Sequence, residues 1–363
     1  MKKEIRDAVL EIKKSHLDAL RDWRLEKFRE PELRTLFLEL TRKCNERCLH
    51  CGSSCGSEPS PEMSLEELKR FLADVSRKFD VGRMTLAVTG GEPLLYKDFF
   101  PLMEYASSLG FKWGMTTNGT LIDAGVARRL ADAGLRTVSI SVDGIGEKHD
   151  AFRRKKGAYD AAIAGVRSLI EVGSLDAVQI TTVVTHDTVR DLPAMFEEFD
   201  KLDLDSWRIS NVEPIGRALL NSNLMLTPDD YRFMFDFIRE KRRDMVPVLY
   251  GCQHFLGLDY EREVRDWYWF CSCGTYVASV TCEGNIVGCL DLPRLPELVQ
   301  GNVRTDDFEK VWKEKFSFFR RDMSEVCGKC SACADRDYCM GGPFHSWDYE
   351  RNEPLLCFKN TLF

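Results

Sequence analysis

Residues 44–51 read Cys-Asn-Glu-Arg-Cys-Leu-His-Cys, a C-x3-C-x2-C loop. Three thiolates on so short a loop can hold three irons of a [4Fe–4S] cube and leave the fourth iron open. Zinc is the competing occupant. Structural zinc wants four closed ligands, and Cys55 or His50 could supply the fourth. The chain carries fourteen cysteines, and they are not scattered. Cys44, Cys48, Cys51 and Cys55 form one group, and none follows until Cys252. The rest are Cys252, Cys271, Cys273, Cys282, Cys289, Cys327, Cys330, Cys333, Cys339 and Cys357. Two tight groups in a chain without an export signal point to metal rather than disulfides.

The elements that must position the first loop are legible from periodicity. Short β-rich runs (Thr35–Leu40, Met84–Thr89, Lys112–Thr116, Thr137–Val142, Ala177–Val184 and Ser206–Val212) alternate with helical stretches (Ser64–Lys78, Lys97–Leu109, Ala124–Ala133, Tyr159–Val172 and Asp191–Phe199). A further helix is expected near Asp229–Arg242. This βα rhythm predicts an α/β fold with a parallel sheet: a partial (β/α)6 TIM-like barrel over residues 35–245. The cysteine loop then falls at the C-terminal end of the first strand, where barrel enzymes keep their chemistry. Residues 1–34 read as an amphipathic helix, with Val9, Ile12, Leu20 and Trp23 as its apolar stripe and Pro31 as its stop. After about residue 245 the rhythm ends. Only Asp306–Arg321 reads as a clear helix, so residues 246–363 are expected to be stapled by metal clusters.

Composition excludes several classes. A net charge of −7 argues against a nucleic-acid partner. No apolar run is long enough to span a membrane, and the charged N-terminus is no secretory signal, so a cytoplasmic location is expected.

In order and content these motifs resemble the radical S-adenosylmethionine (radical SAM) superfamily. The cysteine loop after the first strand looks like its signature. Gly90, Gly91, Glu92 and Pro93 after the second strand resemble its GGE motif, which implies that Glu92 meets the methionine ammonium. Asn118 lies in a TNG-like segment after the third strand, and Ser141 and Asp143 in an S-x-D-G-like segment after the fourth. Arg153 follows, where relatives aim an arginine at the SAM carboxylate. Glu213-Pro214-Ile215-Gly216-Arg217 resembles a P-x-G-R segment. The resemblance implies an enzyme that cleaves SAM to a 5′-deoxyadenosyl radical, which abstracts hydrogen from a substrate. It names no catalytic acid or base.

The C-terminal cysteines resemble the SPASM extension of that superfamily, which implies two auxiliary [4Fe–4S] clusters and three in all. Cys271, Cys273 and Cys289 match the first half; Cys330, Cys333, Cys339 and Cys357 match the second. One position departs: where relatives place a further cysteine after Cys339, this chain has Pro343. Cys327 is expected to replace it, with Cys282 or an open iron as alternatives. Cys55 and Cys252 fit neither pattern and read as inert buried thiols. A zinc site or a non-catalytic iron–sulfur scaffold is the reading from another class, and the ordered SAM motifs argue against it.

The resemblance implies a substrate from one of several groups. Modification of a ribosomally made peptide (crosslinking, epimerisation or backbone excision) is the first reading. A small-molecule oxidoreductase or mutase, or a sulfatase-maturase-like enzyme, is the alternative. Only 34 residues precede the first strand, so peptide recognition would rest on a separate protein. An external donor such as flavodoxin or ferredoxin would supply electrons. Trp267-Tyr268-Trp269-Phe270 reads as core at the domain junction.

Overall fold

The computed structural model describes residues 2–58, 60–251, 254–359 and 361–363. Cys252 lies outside them. The expected strands form: β1 (Thr35–Glu39), β2 (Thr85–Thr89), β3 (Lys112–Thr117), β4 (Leu135–Ser141), β5 (Ala177–Val184) and β6 (Ser206–Asn211). Each pairs in parallel with the next. Leu36, Leu38, Leu86, Val88, Ile140, Ile180 and Ile209 are buried along them, as strands covered by helices require.

The helices are α1 (Lys2–Arg29), α2 (Leu65–Lys78), α3 (Phe99–Ser108), α4 (Ala124–Asp132), α5 (Glu147–Arg153), α6 (Ala158–Val172), α7 (Leu192–Phe199) and α8 (Pro228–Arg243). Local chemistry sets their starts. Ser64 and Glu67 form a capping box at α2, and Thr227 and Asp230 form another at α8, which has Pro228 in its first turn.

Two short strands extend the barrel beyond the expected six. β7 (Val248–Tyr250) pairs with β6, and β8 (Val277–Val280) pairs in parallel with β1. Antiparallel β9 (Asn285–Val287) and β10 (Gly301–Asn302) follow on that edge. The sheet therefore crosses the boundary expected near residue 245, and the cysteine-rich region is hydrogen-bonded to the barrel's first strand.

Three expectations are corrected. On α1, Val9 and Ile12 are exposed; the face that packs carries Leu17, Leu20 and Trp23 against Phe255, Tyr268 and Trp269. Arg24 is buried in that contact, its guanidinium 4.5 Å from the Trp269 ring centre. Burial holds its pKa down to about 10. Of the aromatic run, Tyr268 and Trp269 are core while Trp267 is exposed. Asp306–Arg321 is not one helix. It is an α turn over Phe308–Lys310, a π turn over Val311–Lys315 and a 3-10 turn over Phe316–Phe319. Phe308, Trp312, Phe316 and Phe319 are all buried across these turns.

Candidate active site and cysteine centres

The loop after β1 is held from three sides. Arg47 and Leu49 donate their backbone N–H groups to the carbonyls of Arg153 and Phe152, at the end of α5. His50 stacks on Phe152, with ring centres 4.5 Å apart and planes 3° from parallel. Burial holds its pKa down to about 4, so it is a neutral ring. From the other side, Arg217 donates to the carbonyls of Cys48 (2.8 Å) and Cys55 (2.6 Å). Gly216 makes this approach feasible. It has φ +54°, and a Cβ there would lie 2.3 Å from the Gly52 carbonyl oxygen. Gly91 does the same from β2, where a Cβ would meet the Lys43 carbonyl oxygen at 2.2 Å.

Cys44, Cys48 and Cys51 converge on this loop. Burial raises the Cys44 thiol to about 11 and the Cys48 thiol to about 12. Cys51 moves the other way, because the Cys55 side chain and its backbone N–H both donate to it. Cys55 is a buried neighbour of the trio, with its Sγ 3.9 Å from the Ser53 carbonyl oxygen. Three thiols on one braced loop fit an iron–sulfur cube with an open iron.

Four of the expected cofactor residues, Glu92, Asn118, Asp143 and Arg153, have side-chain partners in the protein. Glu92 is fully buried. It accepts from the Thr117 hydroxyl (2.9 Å) and from the backbone N–H groups of Asn118 (3.0 Å) and Leu94 (3.3 Å). Burial pushes its pKa up to about 7. Its donors are neutral, so the carboxylate is a socket suited to an incoming ammonium. Asn118 donates to Asn45 Oδ1 at 2.7 Å and so ties β3 to the cysteine loop. Ser141 ends β4. Asp143 accepts from Val183 N–H and from Arg153. Arg153 does not stand free to meet a ligand carboxylate. It is paired with Asp143 (2.6 Å) and Glu46 (3.4 Å), and its Nη1 lies 3.5 Å from Cys48 Sγ. A guanidinium there offsets the charge of a buried thiolate.

Two further thiol groups lie in the C-terminal region. Cys271, Cys273 and Cys289 form one; they raise each other's pKa along with burial. Asp291 sits beside it, 3.8 Å from Cys289 Sγ, and burial, with the three cysteines adding to it, pushes up the Tyr349 hydroxyl. Cys330, Cys333, Cys339 and Cys357 form the other. Cys327 lies beside Cys330 of this second group. The sequence expects it with Cys271, Cys273 and Cys289; the structure sets it beside Cys330. Cys327 caps the short helix Gly328–Ser331 that carries Cys330, so the two thiols are one turn apart. Cys282 is fully buried beside Glu39 at the end of β1, and burial with that carboxylate raises its thiol to about 12.

A cavity of about 450 Å³ is lined by Gly52, next to Cys51, and by Asp291, two residues from Cys289. Ile215, Gly216, His345 and Tyr349 also line it. Sequence reasoning did not single out Glu46, Asp291, His254 or His345. Arg217 was visible only as part of its motif.

Comparison with known proteins agrees with this geometry. The profile of the radical SAM superfamily matches residues 38–199, and that of SPASM, an iron–sulfur cluster-binding domain, matches residues 271–334. A mycofactocin maturase from Mycobacterium tuberculosis is 30% identical over 84% of this chain and 76% of its own. The chain belongs to the radical SAM superfamily and carries a SPASM domain. It is an enzyme of that family. An AdoMet-dependent heme synthase from Methanosarcina barkeri is 27% identical over 90% of this chain and 97% of its own. The fold is shared with anSMEcpe with bound AdoMet (TM-score 0.71, 20% identity, 90% of this chain and 94% of that one). It is shared too with Streptococcus suis SuiB bound to its precursor peptide SuiA (TM-score 0.69, 17% identity, 86% and 72%). Among the described residues no helix is long and apolar enough to cross a membrane.

Proposed function

We propose that this radical SAM enzyme abstracts hydrogen from a peptide held in the cavity lined by Gly52 and Asp291. The observation that carries this reading is the cavity's charge. Its wall contains Asp291, Glu297, Asp348 and Glu350 but neither lysine nor arginine. Such a wall favours a neutral or basic peptide segment and disfavours a substrate rich in carboxylates. The relationship to the mycofactocin maturase and the fold of SuiB support it.

The residues would divide the work as follows. Cys44, Cys48 and Cys51 would hold the open [4Fe–4S] cluster. Glu92 would take the SAM ammonium, with Gly90, Gly91 and Pro93 shaping the turn, and Asn118 and Ser141 beside it. Bound cluster and SAM together supply one-electron chemistry that generates the hydrogen-abstracting radical. Arg153, Asp143 and Glu46 would hold the loop and keep its charge balanced. Two auxiliary clusters complete the reading. Cys330, Cys333, Cys339 and Cys357 would hold one, and Cys271, Cys273 and Cys289 the other. An external flavodoxin or ferredoxin would reduce the enzyme, and a separate protein would present the peptide. This reading divides the chain into residues 1–34, 35–245 and 246–363, with the sheet running across the last boundary.

A second reading has its own support: the M. barkeri heme synthase aligns over nearly its whole length. On that reading the substrate is a small molecule such as a haem precursor. One experiment separates the two. Reduced, reconstituted enzyme is given SAM and either candidate peptides encoded beside its gene or iron coproporphyrin. A mass change in the peptide, with 5′-deoxyadenosine formed in step, supports the first reading. Turnover of the porphyrin alone overturns it.

A further inference from the structure

Glu213, His254 and His345 stand apart from every role assigned above. They come from three separate segments: the end of β6, the stretch after β7 and the turn at Phe344–Ser346. Yet one oxygen of Glu213 and one ring nitrogen of each histidine all lie within 4.8 Å of one another. His254 Nε2 is 2.7 Å from Glu213 Oε1, and the two imidazole centres are 6.1 Å apart at a steep angle. The other carboxylate oxygen, Glu213 Oε2, is buried and has no hydrogen-bond partner. A simple ion pair accounts for neither that orphaned oxygen nor the second imidazole.

We propose that Glu213, His254 and His345 bind a divalent transition-metal ion, distinct from the iron–sulfur clusters. Two imidazoles and one carboxylate are a donor set that zinc or iron(II) accepts, and three protein ligands leave coordination positions open. The surroundings hold the donors in place. Arg265 donates to the His254 carbonyl at 2.8 Å, and Asn211 Nδ2 reaches Glu213 Oε1 at 3.4 Å.

The location gives the ion a task. His345 lines the substrate cavity. Glu213 immediately precedes Pro214, Ile215 and Gly216, which form the cavity wall nearest the cysteine loop. The open positions of the ion would take an oxygen ligand, a carbonyl or carboxylate, from a molecule in that cavity. The ion would act as an anchor and Lewis acid while the radical chemistry takes place beside it. It would also supply the positive charge that the acidic cavity wall lacks.

The test uses the full chain with its clusters reconstituted, so that cysteines are occupied. The protein is exposed to zinc alone, passed through a desalting column and analysed for zinc and iron. We expect about one zinc per chain, with X-ray absorption reporting two imidazoles, oxygen neighbours and no sulfur. His345→Gln leaves the Glu213–His254 bond in place, so the variant should keep its fold and iron while losing the zinc. Glu213→Gln should lose it as well. No retained zinc in the wild type, sulfur in the zinc shell, or equal zinc in wild type and His345→Gln would each overturn the proposal. None of these readouts depends on which substrate the enzyme uses.

Discussion

Arg153 donates to Asp143 at 2.6 Å while its other arm lies 3.5 Å from Cys48 Sγ. The pair is buried, with the arginine side chain 9% exposed and the aspartate not at all. It joins the loop after β4 to the cysteine loop. Removing one partner of a buried pair strands the other's charge and costs about 3–5 kcal/mol. Arg153→Met should therefore lower unfolding stability by that order in chemical denaturation. It should also impair iron uptake at the first cluster, read as iron per chain. An unchanged midpoint would show that Asp143 and Glu46 tolerate losing their cation.

The three-thiol loop makes a second prediction. Replacing Cys44, Cys48 and Cys51 by alanine should remove about four irons per chain and all 5′-deoxyadenosine formation. The C-terminal thiol groups share no ligand with that loop, so their iron should remain. Iron analysis beside a SAM cleavage assay distinguishes this from general collapse.

Glu92 predicts a pH dependence. Burial raises its pKa from 4.5 to about 7 in the folded chain. The folded state therefore binds a proton that the unfolded state has lost. Stability from this group is full below about pH 4.5 and falls as pH rises to 7, by about 3 kcal/mol in total. In SAM-free protein, the stability difference between wild type and Glu92→Gln should decline across that window. A bound ammonium should flatten the decline, because it favours the carboxylate. A flat difference without SAM would place the charge elsewhere.

The C-terminal thiols give a fourth test. Cys330, Cys333, Cys339 and Cys357 already make four, and Cys327 is a fifth beside Cys330. Cys327→Ser should keep the full iron content of the reconstituted protein. Loss of about four irons would return Cys327 to a required ligand.

Much of this arrangement was legible in the amino-acid order. The six barrel strands announce themselves as short apolar runs between capped helices, and each site motif sits where a strand ends. Three kinds of feature were not. β7 and β8 are only three and four residues long, and their partners are distant in sequence, so periodicity says nothing of them. Thiol spacing gives the number of ligands but not their partition. Cys327 could have turned toward either group until the turn at Gly328–Ser331 fixed it beside Cys330. Glu213, His254 and His345 are ordinary residues in a line of sequence, and only the fold brings their donor atoms together. The reading of Asp306–Arg321 failed for a related reason: helical spacing of Phe308, Trp312 and Phe316 fits an α-helix as well as the tighter and wider turns actually present.

The pairing of β1 with β8 has a consequence for how the chain is made. Residue 35 meets residue 277, so one edge of the first strand has no partner until the ribosome has moved about 240 residues further on. At roughly 5–20 residues per second, that edge and the thiols just beyond it wait on the order of ten to fifty seconds. An unpaired strand edge is a template for association with other chains. Nascent protein is thus most vulnerable to aggregation, and its loop thiols to oxidation, in the interval before Val277–Val280 arrives.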